Sequence, residues 1–418
     1  MFSRRTSWDS TPGALAQAIA RARADDTGAP LLDLTCSNPT AVGLHPDPNE
    51  IRAALDRAYD PRYTPDPLGS LRAREAVLDY YRRRHALTPD LTPARVCLCA
   101  GTSEAYANLL AVLCDPGDVV LVPRPGYPLL AYLADLQGVT LAPYAIELEH
   151  GAWRLDLESV REQLARPRER ARVRAVIVVA PNNPTGNYVD DLELAALERL
   201  CHERELALII DEVFHDYPLD PIAARRGRAL AGARRCLCFT LSGLSKVAAL
   251  PQLKLSWLVA HGPPELATAA MGRLELIADS FLSVASPVQR ALPELLERAP
   301  ATQARVLART RDNHAHLRTR CRLAESAVTP LAVEGGWTAL VRLPAIGGLD
   351  DAGWVLDLLE HARVLTQPGY LYDLDDGGGA RPMLALSLLS EPRQFRDGLT
   401  RLLARVAARV AAVVASGP

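Results

Sequence analysis

Short apolar runs that do not alternate with polar residues recur along this chain, and they restrict its fold more than any other feature. RAVIVVA (174–180), LALIID (206–211), CLCFT (236–240) and LKLSWLVA (253–260) are nearly continuous in aliphatic and other apolar residues. A strand with one solvated face alternates apolar with polar residues. A continuous run belongs to a strand covered on both faces, as in a mostly parallel sheet between helical layers. Helical patterns separate the runs: a helix at 70–86, a strand at 95–99, a helix at 103–114, a strand at 118–122, a helix at 126–137 and a strand near 139–143. The fold class is therefore α/β, with a large domain built on a mostly parallel sheet.

Past about residue 285 the texture changes. Helices at 286–298 and 300–323 precede a Gly335-Gly336-Trp337 turn, strands near 338–343, 363–366 and 383–389, and a last helix at 392–414. Fewer strands and longer helices predict a smaller α/β domain, formed by the C-terminal part and the N-terminal segment. The expected limits are an N-terminal arm at 1–50, the large domain at 51–290 and the small domain at 291–418. In the arm, ALAQAIARARA after Thr11-Pro12 reads as an amphipathic helix, and the run Leu31 to Leu34 leads into the loop Ser37-Asn38-Pro39-Thr40. Asp375-Asp376-Gly377-Gly378-Gly379 reads as a solvent-exposed turn.

Composition matters at one point above all. Of 47 basic residues only Lys246 and Lys254 are lysine. Where positive charge alone is wanted this chain uses arginine, so a lysine is a candidate for chemistry that guanidinium cannot perform, such as losing a proton and attacking a carbonyl. A net charge of -2 gives no reason to expect nucleic acid or an anionic membrane as partner. No apolar run reaches the roughly 18 residues of a membrane span, and MFSRRTSWDS has no apolar core behind its arginines. Eight cysteines are too sparse for a disulfide scaffold; Cys97, Cys99, Cys236 and Cys238 read as buried strand thiols, not zinc ligands, and a cytoplasmic setting fits.

The residues that can carry chemistry lie mostly where strands give way to helices, the edge at which open α/β sheets hold ligands. Lys246, in Ser242-Gly243-Leu244-Ser245-Lys246, follows CLCFT; an apolar setting lowers an amine's pKa and frees the nucleophile. Asp211 closes LALIID, where a buried carboxylate needs a cation. Asn183 sits in the turn Pro181-Asn182-Asn183-Pro184-Thr185-Gly186. Gly101-Thr102-Ser103 opens a helix with free N–H groups and hydroxyls that suit a phosphate, and Tyr127 offers a flat surface. Each has a plainer reading as cap, turn or packing residue. Together they answer the four demands of pyridoxal phosphate: an amine for its aldehyde, an anion at its pyridine nitrogen, donors for its phosphate and a face for its ring.

Taken in order from about residue 30 to 390, the chain resembles the class I/II aminotransferases of fold type I, the aspartate-aminotransferase-like enzymes. The motifs are Ser37-Asn38-Pro39, Tyr63 before Gly69 and Leu71-Arg72, Gly101-Thr102-Ser103-Glu104-Ala105, Tyr127-Pro128, Asn183-Pro184-Thr185-Gly186, Asp211-Glu212-Val213, and Ser245-Lys246 with Pro251. The resemblance implies a seven-stranded sheet and a homodimer with shared active sites, Tyr63 reaching the neighbouring subunit's phosphate. It implies pyridoxal 5'-phosphate held as a Schiff base by Lys246, with Ser245 and Lys254 among the cofactor contacts and no metal.

Four positions depart from the family's pattern. Phe214 stands for Tyr, Gly243 for Ser, and Lys254 for the phosphate Arg. In the strand Met383-Leu384-Ala385-Leu386-Ser387, Ala385 stands where the substrate-carboxylate Arg is expected. Arg381, two steps of strand alternation away, is the candidate replacement, with Arg393 a second, and Asn38 a further substrate contact. The expected activity is transfer of an amino group between an amino acid or amine and a keto acid. A lyase or synthase acting on a modified amino acid, and a non-catalytic cofactor-binding protein, are the alternatives.

Overall fold

The computed structural model describes residues 2–9, 11–25, 29–84, 91–166, 171–220, 222, 234–282, 284–323, 326–374 and 381–416. The chain begins with α1 (Ala14–Ala24), β1 (Leu32–Asp33), α2 (Pro48–Ala58) and α3 (Leu71–Arg84). Strands and helices then alternate through β2 (Val96–Cys99), α4 (Thr102–Leu113), β3 (Val119–Arg124), α5 (Leu129–Gln137) and β4 (Thr140–Glu149). Next come β5 (Ala152–Leu155), α6 (Leu157–Ala165), β6 (Val173–Val179), α7 (Asp191–Glu203), β7 (Ala207–Asp211) and β8 (Cys238–Gly243). The short α8 (Leu244–Val247) leads to β9 (Ser256–His261), α9 (Pro264–Phe281) and α10 (Ser286–Leu323). The last part holds β10 (Thr329–Pro330), β11 (Thr338–Arg342), α11 (Asp351–Ala362), β12 (Val364–Leu365), β13 (Gln367–Pro368), β14 (Met383–Ser387) and α12 (Pro392–Ser416).

The large sheet runs β2-β9-β8-β7-β6-β3-β4-β5. Pairing is parallel from β8 through β7, β6 and β3 to β4. β9 is antiparallel to both its neighbours, which leaves β2 running in the same direction as β8. The seven expected strands are present, and an eighth, β5, adds to the edge as an antiparallel hairpin with β4. Every residue of β2, β7, β8 and β9 is buried, the outcome their unbroken apolar runs predict. One face packs Leu109, Leu130 and Leu274 over Ile177, Ile209 and Leu241; on the other, Tyr81, Leu292 and Leu295 cover Leu98, Trp257 and Val259. The four cysteines of RVCLCA and RRCLCF are buried free thiols.

A second, antiparallel sheet has the order β10-β11-β14-β13. Ala339, Val341, Leu384 and Leu386 face a core shared with Trp354 and Phe395, from α11 and α12. Their alternate neighbours Leu340, Met383 and Ala385 join the core of the large sheet. β1 pairs with β12, attaching the N-terminal segment here.

One expectation fails. The two helices at 286–298 and 300–323 are a single 38-residue helix, α10, with Pro293 and Pro300 inside it. Proline removes one N–H and disfavours a helix interior. Here burial of Leu292, Leu295, Leu296, Ala299, Thr302 and Val306 along one face, against α2, α3 and α12, outweighs that local cost. The turn expected at Asp375–Gly379, and residues 85 and 86 at the end of the helix expected over 70–86, lie outside the described residues. Among the described residues no helix is long and apolar enough to cross a membrane.

α11 and α12 are joined by a buried carboxylate. Asp357 accepts from Arg405 Nε at 2.8 Å and Nη2 at 2.6 Å, and from Arg409 Nε at 2.9 Å. Burial pushes its carboxyl up, but the two guanidiniums prevail and hold it at about 2. A depressed folded-state pKa stabilises above the unfolded value near 3.8 and loses that effect as pH falls towards 2. Asp357→Ala is expected to lower stability by about 2–3 kcal/mol at pH 7. In urea denaturation across pH the gap should narrow between pH 4 and pH 2.

Candidate active site

Strand direction gathers the candidate residues at one edge of the large sheet. Asp211 ends β7, Lys246 follows β8, Asn183 follows β6, Tyr127 follows β3 and Gly101 follows β2. β9 runs the other way, so Lys254, just before it, reaches the same edge.

Asp211 is 6% exposed. Its Oδ2 accepts from Tyr106 Oη at 2.8 Å and its Oδ1 from the Val213 N–H at 3.0 Å. Burial pushes the carboxyl up to about 6, against these hydrogen bonds and the attraction of Lys246. The Lys246 amine is lowered by burial, which the charge of Asp211 partly offsets. Each group is the other's counter-charge. Lys246 Nζ lies 5.4 Å from the ring centre of Phe214 and 5.0 Å from that of Trp337, whose indole Nε1 is buried without a hydrogen-bond partner among the described residues. Tyr217 Oη donates to the Lys246 carbonyl at 2.5 Å. Gly243, where the family pattern has Ser, has a structural cause: a Cβ there would come within 2.7 Å of Ser256 Cβ on β9.

The opposite end of the site is built for an anion. Gly101 caps α4 without a side chain, leaving the first N–H groups of a 12-residue helix open, and Thr102 and Ser103 follow. Lys254 Nζ lies 3.4 Å from where a Cβ of residue 101 would be. A helix N-terminus and an ammonium at one point favour a phosphate. A side chain at 101 would crowd that cradle.

Two turns close the site laterally. Asn182 Nδ2 donates to the Pro125 carbonyl at 3.0 Å and to Thr185 Oγ1 at 2.8 Å, tying the loop of Tyr127 to that of Asn183. Asn183 is half-buried beside them. Tyr127 is part-exposed, and burial followed by the charge of Asp211 raises its phenol. Gly186, at φ +71°, lets the turn meet the second sheet: a Cβ would fall 2.3 Å from Val333 Cγ2 and 2.6 Å from the Gly335 carbonyl.

Other expected residues stand apart. Ser245 is half-buried next to Lys246. Tyr63 is 68% exposed. Asn38 is exposed, its Oδ1 accepting from Thr40 N–H at 3.0 Å and Oγ1 at 2.8 Å. Arg381 is exposed ahead of β14, and Ala385 is buried. Sequence reasoning missed Tyr106 and Trp337. Tyr106 had a signal, standing four residues after Thr102 on the same helix face. Trp337 had none, because it reaches the site from another sheet.

Comparison with known proteins gives the family and the fold. Residues 29–378 match the family described as aminotransferase class I and II. An alanine aminotransferase of Mycobacterium tuberculosis is 30% identical over 353 residues, 83% of this chain and 80% of the relative. The glutamate-pyruvate aminotransferase AlaA of Escherichia coli K12 is 27% identical over 276 residues, 66% of this chain and 65% of the relative. Among solved structures, an alanine aminotransferase from Pyrococcus furiosus superimposes with a TM-score of 0.84 at 21% identity, covering 98% of this chain and 100% of that one.

Removing the Tyr106 hydroxyl tests the Asp211 geometry. Tyr106→Phe takes away one of the hydrogen bonds that oppose burial, so the Asp211 carboxyl should rise further above about 6. Pyridoxal-phosphate affinity, measured by fluorescence titration near neutral pH, is expected to fall about tenfold, the scale of one hydrogen bond to a charged group.

Proposed function

The chain belongs to the class I and II aminotransferases, and from that premise we propose how its residues carry the reaction. It is a pyridoxal-phosphate-dependent transferase that moves an amino group between an amino acid and a keto acid. The cofactor supplies the electron sink that makes a substrate's α-hydrogen acidic. The protein supplies everything that orients and protonates.

Lys246 Nζ would hold the cofactor's aldehyde carbon, and the Lys246 amine would carry a proton to and from the substrate α-carbon. Its lowered pKa supports both roles. Asp211 would meet the pyridine nitrogen and hold a proton on it. Gly101, Thr102, Ser103, Ser245 and Lys254 would receive the phosphate, Tyr127 would cover the ring and Asn183 would donate to the ring oxygen. With Phe214 in place of a tyrosine, that oxygen would have one donor fewer. The observation that carries the reading is the mutual burial of Asp211 and Lys246 at one end of a site whose other end is an open helix N-terminus with an ammonium. The working unit is a homodimer, in which Tyr63 of one protomer serves the phosphate site of its partner; its outward position supports this. We place the enzyme in the cytoplasm, where its free thiols persist.

Incubating the loaded protein with an amino acid is expected to bleach the visible cofactor band and leave pyridoxamine phosphate, and a keto acid should restore the band. Release of ammonia without pyridoxamine phosphate would overturn transamination in favour of elimination. Lys246→Ala and Lys246→Arg should both abolish the band and turnover, since guanidinium stays protonated. Asp211→Ala should slow the half-reaction by orders of magnitude while the protein still binds cofactor weakly. On a sizing column the wild type should elute at twice the mass of one chain, and Tyr63→Phe should weaken cofactor binding without dissociating it.

A further inference from the structure

Where the family places an arginine this chain has Ala385, 1% exposed, and a methyl group cannot hold a carboxylate. Its neighbour across the second sheet is Gln367. The two are directly opposed Cα partners in the antiparallel β13–β14 pair, so both side chains stand on one face. On that face Leu340, Met383 and Ala385 join Tyr372 in the core of the large sheet, together with Ala180 just past β6.

Gln367 is held in one orientation. Tyr372 Oη donates to its Oε1 at 2.6 Å, which leaves Nε2 as the end with hydrogens still to give. Tyr372 in turn is fixed to the cofactor side, its carbonyl accepting from the Gly126 N–H at 3.1 Å. Its phenol is pushed up to about 12 by burial and then by Tyr127, and Tyr127 feels Asp211. Tyr127 therefore feels Asp211 on one side and acts on Tyr372 on the other, and Tyr372 is hydrogen-bonded to Gln367, which stands opposite Ala385. Trp337 Nε1 is a second buried neutral donor near Lys246. Arg381 is exposed and precedes the strand.

We propose that Gln367, oriented by Tyr372, donates the hydrogen bond that receives the substrate's α-carboxylate in place of the arginine. This rests on the aminotransferase reading and gives it a substrate preference. A guanidinium offers a carboxylate two parallel charged hydrogen bonds, whereas an amide offers neutral ones. The site therefore separates a carboxylate from an uncharged carboxamide only weakly.

The test is spectral titration of the cofactor-loaded protein with 2-methylalanine and 2-methylalaninamide. Both carry the amine and neither has an α-hydrogen, so binding is read without transfer. The wild type is expected to bind the two within about tenfold of each other. Gln367→Glu, nearly the same shape with a negative charge, should weaken the acid at least about tenfold and change the amide by less than about threefold. Gln367→Met, which lacks the donor, should weaken the acid by about tenfold while the cofactor band stays intact. Tyr372→Phe, which leaves Gln367 free to turn, should weaken the acid several-fold and leave the band unchanged.

Unchanged acid binding in both Gln367 variants would overturn the inference. So would a wild type that prefers the acid more than a hundredfold, a loss of acid binding in Arg381→Ala alone, or no titration with either ligand. Failure of the transfer reading shows separately, as 2-methylalanine binding normally while amino acids with an α-hydrogen leave the cofactor unchanged.

Discussion

A carboxylate and an amine, both mostly withdrawn from water, share the carboxyl edge of one sheet, and the rest of the site depends on that pairing. Each alone would shed its charge: burial drives Asp211 up and Lys246 down. Their mutual attraction, with the hydrogen bonds from Tyr106 and Val213, limits both shifts. The result is a carboxylate raised to about 6 and an amine easier to deprotonate, perturbed groups side by side as functional sites tend to hold them.

Holding them there takes rigid surroundings. Behind Lys246, Arg84 Nε meets Asp216 at 3.0 Å, and Tyr80 Oη donates to the same carboxylate at 2.8 Å. Gln303 Nε2 bridges Asp216 at 3.0 Å and the Val247 carbonyl at 2.8 Å, so the segment after β7 and the short α8 are braced from α3 and α10. In front, Trp337 stacks edge-on to Phe214 and Tyr217, with ring centres 5.2 and 4.9 Å away. The loss of a tyrosine at 214 thus leaves an aromatic wall beside the amine and removes only a hydroxyl.

Much of this was legible beforehand for reasons that can be named. Short unbroken apolar runs between turn signals read as strands covered on both faces, and the turns that follow parallel strands must share an edge. Lys246 stood out because a chain that uses arginine for charge has only two lysines, and one of them follows a buried strand. Ala385, in a strand that resembles the family's pattern, raised the expectation of a missing carboxylate partner. The prolines at 293 and 300 misled, because their penalty is local while the burial that overrides it is spread along α10 and supplied by helices distant in sequence.

By itself, then, the sequence determined the α/β class, the cofactor and the residues at strand ends, since these follow from periodicity and from side-chain chemistry at known turns. Tertiary structure alone decided which groups meet across separate elements. Trp337 comes within 5.0 Å of Lys246 from a segment that packs on Gly186, where a Cβ would meet Val333 and the Gly335 carbonyl. Gln367 stands opposite Ala385 only through the register of a two-residue strand. Such pairings depend on how sheets pack against one another, and no pattern along a single chain records that distance.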